Sequence, residues 1–250
     1  MLPERLHLHS KAETGSTNAD ARALADAGAP AFTLVTATRQ TAGRGRRGRG
    51  WDSPDGNLYF SLLLRPEASW PVLGTLSMVT ALAVAEAVDR VTGAGDRLRL
   101  KWPNDVLLDG GKLAGLLLEA GRDAGGRDWA VIGVGLNLVA CPPAGGAFPP
   151  ISLAGAGLGP VAPETARDAL AERLLARFDA WAAGGLGAVR EAYLARLHRL
   201  GGPIRVRLTD DPAEDLTGVF ESIDGQGTLL LRRDDGTLTR ITAGDVFFGG

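Results

Sequence analysis

Arginine and glycine alternate in one segment, between an apolar run and a tryptophan. Residues 40–51 read Gln-Thr-Ala-Gly-Arg-Gly-Arg-Arg-Gly-Arg-Gly-Trp, and we call residues 43–51 the arginine loop. Glycine lets the backbone lie close to a ligand, and a guanidinium grips phosphate or carboxylate with two hydrogen bonds. The segment predicts a mobile loop that closes over an anion, although a solvated basic loop or an RGG-like nucleic-acid segment has the same composition.

Lysine is rare in this chain. Of the 27 basic residues 24 are arginine, and the lysines are Lys11, Lys101 and Lys112. An ammonium is a compact point charge, whereas a guanidinium is a broad planar fork. Because Lys101 and Lys112 flank one turn-and-hairpin segment, their retention indicates a site that needs a compact charge there, unless their placement is chance.

Three polar side chains lie where a helix should begin. Ser16, Thr17 and Asn18 precede a run of good helix formers at residues 19–27. Capping a helix needs one such residue, so the other two could hold a polar ligand at the helix N-terminus.

The arginine loop should be anchored at both ends by strands. Residues 31–37 form an apolar, β-branched run that leads to Gln40, and residues 57–64 form another after the loop. Gln40 is therefore expected at a strand end, where ligands collect in α/β proteins.

Composition restricts the class of protein. The chain has 250 residues, of which 45% are hydrophobic and 22% charged, and its net charge is −2, so the basic loop is a local feature. A single Cys141 and the absence of a secretory signal in residues 1–11 predict a cytoplasmic location. Residues 68–85 carry no charge, but serine, threonine, proline and glycine interrupt them, which favours a buried helix over a membrane span.

Further elements follow from apolar periodicity and turn residues. We predict a helix at 73–91, a strand at 98–102, a hairpin at 106–118 with its turn at 109–111, a strand at 129–136, and helices at 164–183 and 186–199. Short strands after residue 203, separated by Asp-Gly turns, predict a small β-barrel. We therefore expect domains at residues 1–200 and 201–250, the second too small to fold without docking on the first.

These motifs, in this order, resemble the biotin protein ligases. The matching segments are Ser16-Thr17-Asn18, the arginine loop, Lys101-Trp102-Pro103-Asn104-Asp105, Lys112-Leu113-Ala114-Gly115 and Gly133-Val134-Gly135-Leu136-Asn137. The resemblance implies an α+β fold: a mixed sheet with helices, related to class II aminoacyl-tRNA synthetases, followed by a small C-terminal SH3-like β-barrel.

The resemblance also implies a reaction. Biotin carboxylate attacks the α-phosphate of ATP, giving biotinyl-5′-AMP, and a lysine of a biotin carboxyl carrier protein attacks the mixed anhydride. ATP and biotin would be substrates, with Mg²⁺ as the metal, and the matching motifs assign it no ligands. Because two anions must meet, we expect positioning and positive electrostatics to carry the catalysis.

Site residues are carried over by position within the matching motifs. Catalytic roles are implied for Lys112, Arg46 and Asp105. Biotin-binding roles are implied for Ser16, Thr17, Asn18, Gln40, Arg44, Gly45, Arg46 and Lys112. Roles in nucleotide binding are implied for Arg46, Arg49, Trp51, Lys101, Asn104, Asp105 and Asn137.

Two alternatives remain at this point: a lipoate ligase with the same fold and activation chemistry, and a non-enzymatic binder of single-stranded nucleic acid. A lipoyl site has no ureido ring to satisfy. A binder of single-stranded nucleic acid should have repeated Arg-Gly units with stacking aromatic residues, whereas this chain has one such unit and one nearby tryptophan. Only fifteen residues precede Ser16, so we expect no helix-turn-helix, no DNA binding and no repressor function. No membrane association is expected, and a homodimer is possible.

Overall fold

A seven-stranded sheet forms the larger layer of the protein. The computed structural model describes residues 2–142, 148–209 and 211–248. Strands lie in the order β1-β2-β3-β7-β6-β5-β4, with β1 and β2 parallel and the other neighbours antiparallel. They are β1 (His7–Thr14), β2 (Thr33–Gln40), β3 (Leu58–Leu64), β4 (Leu98–Lys101), β5 (Asp105–Leu108), β6 (Gly111–Arg122) and β7 (Asp128–Leu136). The predicted mixed sheet is confirmed.

Helices cover both faces of this sheet. On one face α1 (Thr17–Asp26) packs Ala21 and Ala25 against Val35 and Val131. On the other lie α3 (Leu76–Thr92) and α4 (Pro163–Gly184), with the short α2 (Trp70–Leu73) and α5 (Gly187–Ala195) beside them. All seven residues of β3 are buried, as expected for a strand covered on both sides.

The uncharged segment at residues 68–85 contributes to α3. Its residues 78–85 are buried in the main core, and Gly93 ends the helix in the left-handed conformation with φ 69°. None of the helices that the structure describes is long and apolar enough to cross a membrane. The interpretation as a core helix is confirmed.

The last helix is shorter than the periodicity predicted. We expected a helix over residues 186–199, but α5 ends at Ala195. Leu100 N donates to Arg196 O at 2.8 Å, and His198 N donates to Leu100 O at 2.8 Å. The backbone thus leaves the helix because the edge of β4 offers it hydrogen-bond partners.

A five-stranded antiparallel sheet forms the C-terminal part, in the order β11-β10-β9-β8-β12. Its strands are β8 (Pro203–Arg207), β9 (Leu216–Ile223), β10 (Leu229–Arg232), β11 (Leu238–Ile241) and β12 (Asp245–Phe248). Trp102 Nε1 donates to Gly227 O at 3.0 Å, and Phe220, Ile223 and Leu229 belong to the core of the large sheet. The expected docking of this part is confirmed.

Candidate active site

A cleft of about 410 Å³ lies between the large sheet, the arginine loop and β12. Except for Asn137, every residue predicted for the site lines it. These residues are Ser16, Thr17, Asn18, Gln40, Arg44, Gly45, Arg46, Arg49, Trp51, Lys101, Asn104, Asp105 and Lys112. The fold therefore joins segments that are far apart in the sequence.

One end of the cleft is neutral and polar. Ser16 caps α1, because its backbone is extended and Ser16 Oγ accepts from Ala19 N at 3.5 Å. Thr17 N and Thr17 Oγ1 instead donate to Gln40 Oε1, at 2.9 and 3.1 Å. Gln40 Nε2 donates to Ser53 Oγ at 3.0 Å. We call this end the head-group end, since its groups suit an uncharged polar ring.

Asn18 lies across three strands above a glycine. Ser61 of β3, Gly133 of β7 and Leu117 of β6 form one row of the sheet. Asn18 Nδ2 donates to Glu119 Oε2 at 2.9 Å, and Asn18 Oδ1 accepts from Ser61 Oγ at 2.7 Å. A Cβ at position 133 would lie 2.1 Å from Asn18 Oδ1. Only glycine leaves room for this side chain.

Trp51 covers the next row in the same way. Gly135 pairs with Tyr59 on one side and with Gly115 on the other. A Cβ at Gly135 would lie 2.3 Å from Trp51 Cε2, and one at Gly115 would lie 2.7 Å from Trp51 Cζ3. Trp51 Nε1 is buried against Gly135 and has no hydrogen-bond partner among the described residues.

The opposite end of the cleft carries two lysines around one carboxylate. Lys101 Nζ is 3.2 Å from Asp105 Oδ2, and Lys112 Nζ is 2.8 Å from Asp105 Oδ1. Burial alone would raise the pKa of Asp105, but the two ammonium groups outweigh it and hold that pKa below its usual value. Burial lowers the pKa of Lys101, against the attraction of Asp105. With all three ionised, the trio carries one net positive charge.

Arg46 reaches from the loop into this charged end. Its Nη1 donates to Asn104 Oδ1 at 2.9 Å, and Asn104 Nδ2 donates to Leu116 O at 2.8 Å. Burial lowers the pKa of the Arg46 guanidinium, against the attraction of Asp245 and Asp105. A partly desolvated guanidinium of this kind binds an anion more strongly than an exposed one.

Two other loop arginines contact the C-terminal sheet. Arg47 Nη1 is 3.3 Å and Arg49 Nη2 is 3.0 Å from Asp245 Oδ2, at the start of β12. Arg47 Nη2 also donates to Leu208 O at 3.3 Å. Asp245 therefore holds the loop over the cleft, and Arg49, predicted for the nucleotide, pairs with a carboxylate in this structure.

Aromatic rings bound the cleft beside Lys101. Lys101 Nζ lies 4.7 Å from the ring centroid of Phe148, and Phe148 meets Phe248 edge to face at 5.5 Å. Phe247 of β12 also lines the cleft. A flat base could stack on such a wall.

Two family models match the chain. The first describes the biotin/lipoate A/B protein ligase family and matches residues 15–137. The second describes the biotin protein ligase C-terminal domain and matches residues 203–249. Together they cover every residue that lines the cleft, including those of β12, except Pro142, Phe148 and Pro150.

Known proteins separate the biotin from the lipoate branch. A biotin–[acetyl-CoA-carboxylase] ligase of Paracoccus denitrificans is 44% identical over 96% of this chain and 99% of its own length. The biotin protein ligase of Aquifex aeolicus, solved with biotin and ATP, has a TM-score of 0.83 and 25% identity, with 97% and 99% of the chains covered. That of Leishmania major with biotinyl-5-AMP has a TM-score of 0.66 and 26% identity, covering 96% and 100%. The chain belongs to the biotin protein ligase family.

The expected fold and the expected enzyme class are both confirmed for this ligase. The large mixed sheet with its helices is the fold of the family, and the small sheet is the family's SH3-like C-terminal domain. The chain is an enzyme, so the nucleic-acid alternative does not describe it.

Asn137 differs from the other predicted residues of the ligase. It is 2% exposed, and its Nδ2 donates to Ile151 O at 3.1 Å and to Lys112 O at 3.5 Å. Leu153 N donates to Asn137 O at 3.1 Å. In this structure Asn137 supports the segment behind Lys112 and does not line the cleft.

The described part of the chain offers no ready cluster of metal ligands. Within the described residues, no group of three His, Cys, Asp or Glu side chains converges on a point. Asp105, the carboxylate at the charged end, is held by two lysines. The expected Mg²⁺ stays a prediction.

Sequence reasoning missed several residues that shape the cleft. The glycines at 115, 133 and 135 lie in strand interiors, where glycine signals close approach of another group, so this signal was available. Ser61 is the one hydroxyl in the apolar run of β3 other than Tyr59. Asp245 and Phe247 carried no signal, because their position depends on how the second sheet docks.

Proposed function

We propose that this chain activates biotin with ATP and transfers it to a lysine of a biotin carboxyl carrier protein, a part of acetyl-CoA carboxylase. The observation that carries the proposal is the division of one cleft into a neutral polar end and a cationic end. Such a cleft suits a substrate with an uncharged ring and a carboxylate. The Paracoccus relative is named as a ligase for acetyl-CoA carboxylase, and the Aquifex structure holds biotin and ATP.

The head-group end would hold the ureido ring. Ser16, Thr17, Asn18 and Gln40 supply neutral donors and acceptors, and all but Gln40 are 4% exposed. Buried polar groups without partners are costly, so a ligand that lacks matching hydrogen bonds is rejected strongly. Arg44, Gly45 and Arg46 would close over the chain and carboxylate of biotin.

The cationic end would bring the carboxylate and the α-phosphate together. A carboxylate oxygen of biotin attacks the α-phosphorus, a new P–O bond forms, and pyrophosphate leaves with the electrons of the broken P–O bond. Lys112 and Arg46 offset the charge of the two anions as they approach. Asp105 holds Lys101 and Lys112 in place, and its depressed pKa keeps it ionised at neutral pH, so it is not a proton donor.

Nucleotide contacts would come from Arg46, Arg49, Trp51, Lys101, Asn104 and Asp105. Lys101 lies beside the aromatic wall, where a base could stack. Asn137 would act from behind, by supporting the segment next to Lys112. For Arg49 to contact phosphate, it must exchange Asp245 for the nucleotide.

In the second half-reaction the carrier lysine, as a neutral amine, attacks the acyl carbon of biotinyl-5′-AMP. An amide forms, AMP leaves, and the amine loses a proton to solvent. This step needs no side-chain nucleophile from the ligase. We also propose a cytosolic location, no DNA binding and a domain boundary at residue 200.

Biotin-dependent release of pyrophosphate from ATP tests the proposal. We expect release with biotin and at least about 10³-fold lower kcat/KM with lipoate, because the head-group end is built for a hydrogen-bonding ring. Mass spectrometry of a carrier domain should then show one added biotinyl group on one lysine. Equal turnover of lipoate would refute the assignment of the head-group end.

A further inference from the structure

A continuous chain of hydrogen bonds runs behind the head-group end. It starts at an ion pair on the surface, where Arg22 Nη1 lies 3.3 Å from Glu119 Oε1. It continues through side chains to the exit of the arginine loop, since Ser53 Oγ donates to Trp51 O at 3.1 Å. We call this chain the polar relay; its members are Glu119, Asn18, Ser61, Thr17, Gln40 and Ser53.

Both amides of the polar relay have a fixed orientation. A carboxylate only accepts hydrogen bonds, so Glu119 forces Asn18 to present Nδ2 to it and Oδ1 to Ser61. A backbone N–H only donates, so Thr17 N forces Gln40 to present Oε1 to it and Nε2 to Ser53. Neither amide can flip without placing two donors or two acceptors together.

This polarity decides what Thr17 offers to a ligand. Ser61 has one hydroxyl hydrogen and must give it to Asn18 Oδ1. Thr17 Oγ1 lies 2.8 Å from Ser61 Oγ and 3.1 Å from Gln40 Oε1. With the Ser61 hydrogen on Asn18, both of these oxygens act only as acceptors towards Thr17. The Thr17 hydrogen is therefore used inside the protein. Towards the cleft, Thr17 Oγ1 can only accept.

We propose that Glu119 is a positioning residue that sets the donor and acceptor pattern of the head-group end, so that Thr17 accepts a ring N–H of the substrate. The proposal rests on the proposed function, in which the substrate is biotin. A ureido ring carries N–H donors, whereas a dithiolane ring carries none. Glu119 thereby contributes to the choice between these substrates without touching either.

The sheet offers Asn18 Nδ2 one acceptor besides Glu119, and that acceptor is farther away. Gly133 gives its side chain room between Ser61 and Glu119, and the other contact of Nδ2 is Leu117 O at 3.3 Å. If the carboxylate were removed, the amide could turn over and the hydrogen of Ser61 could turn towards Thr17. Thr17 would then point its own hydrogen elsewhere, including into the cleft.

Two substitutions of equal length test the proposal. Glu119→Gln keeps an oxygen that accepts from Asn18 Nδ2, whereas Glu119→Met keeps the shape and removes the acceptor. Biotin Kd is measured by calorimetry without ATP, and KM for biotin and for ATP by pyrophosphate release. We expect Glu119→Met to raise the biotin Kd and KM on the order of ten-fold or more, with kcat and the ATP KM within about two-fold of wild type. Glu119→Gln should restore most of the affinity.

Controls separate positioning from folding. Arg22→Gln removes the exposed ion pair but leaves the acceptor, so the biotin Kd should change by less than about three-fold. If Glu119→Met does not fold, Ser61→Ala removes the donor to Asn18 Oδ1 and should raise the biotin Kd similarly. A wild-type biotin Kd in Glu119→Met, or in Ser61→Ala where that variant is needed, overturns the proposal. Absence of biotin-dependent pyrophosphate release from the wild-type ligase would instead overturn the proposed function.

Discussion

At the scale of single residues, Lys112 shows why charge alone does not define this site. Its Nζ lies 2.8 Å from Asp105 and 5.6 Å from the ring centroid of Trp51. A Cβ at Gly115 would lie 3.3 Å from Lys112 Nζ, so the ammonium occupies a narrow space. A planar guanidinium is broader and needs a different set of partners.

We therefore expect Lys112→Arg to impair adenylate formation despite the conserved charge. The rate of biotin-dependent pyrophosphate release should fall on the order of 10²-fold, as for loss of a contact made mainly in the transition state. Supplied with preformed biotinyl-5′-AMP, the variant should retain more carrier-transfer activity than it shows from biotin and ATP. Wild-type adenylation kinetics would remove the geometric role of Lys112.

The glycine under Trp51 has an equally specific requirement. Gly135→Ala would place Cβ 2.3 Å from the indole, and the ring must leave its position in the cleft. We expect KM for biotin or ATP to rise on the order of ten-fold and stability to fall by about 1–3 kcal/mol. Gly187→Ala is the matched control, because nothing lies within 4 Å of its Cβ. Equal kinetics in the two variants would contradict this account of Trp51.

At the scale of elements, the helix that carries the head-group residues is fixed at its far end. Arg65 Nε and Nη2 donate to Ala29 O and Ala25 O, at 2.9 Å each, around the C-terminal end of α1. Arg65 Nη1 is 3.0 Å from Asp123 Oδ2, and the Asp123 side chain is 2% exposed. This anchor fixes the position of α1 on the sheet.

Asp123 gives the anchor a defined pH dependence. The backbone N–H of Arg127 and the neighbouring guanidinium groups hold the pKa of Asp123 below its usual value. A depressed carboxyl pKa stabilises the fold above the unfolded pKa of about 3.9, and that contribution is lost as pH falls through the folded pKa. Asp123→Asn should lower Tm by a few degrees at pH 7, and the difference from wild type should shrink below about pH 4. A difference that stays constant from pH 7 to pH 3 would contradict the assignment.

Strands, turns and the N-terminal cap of α1 were predictable from local pattern. Ser16 caps α1 as its type suggested, and Asp109 and Gly110, with φ of 50° and 81°, form the predicted hairpin turn. The positions of Gly133 under Asn18 and of Gly135 under Trp51 were not predictable. They depend on how β3, β7 and β6 align with one another, and β3 is far from the other two strands in the sequence. Asn137 shows the limit of motif transfer, since a motif position does not fix where a side chain points.

At the scale of the whole molecule, the active site belongs to both sheets. The small sheet shares a core with the large one, and β12 brings Asp245 to the arginine loop and Phe247 to the cleft. Closure of the loop therefore depends on a residue about two hundred positions away from it in the sequence. This coupling could not be inferred from either segment alone.

Removing the Asp245 carboxylate tests this coupling. Both of its ion pairs are partly exposed, and exposed pairs contribute little to stability, so Asp245→Asn should change Tm only slightly. Its effect should be on the loop, because Arg47 and Arg49 lose the partner that holds them over the cleft.

We expect biotinyl-5′-AMP to leave the Asp245→Asn variant about ten-fold faster. A hydrogen bond to a charged group contributes about 1.5 kcal/mol or more, and about 1.4 kcal/mol corresponds to a ten-fold change in an equilibrium or rate constant. Release of radiolabelled adenylate in a chase measures this rate directly, and labelling of amines on a bystander protein should rise in parallel. Asp224→Asn provides the control, because it removes a carboxylate that pairs with Arg240 in the same sheet, away from the loop. If adenylate leaves the two variants equally slowly, Asp245 does not hold the loop closed, and Arg46 with its bond to Asn104 becomes the contact that must do so.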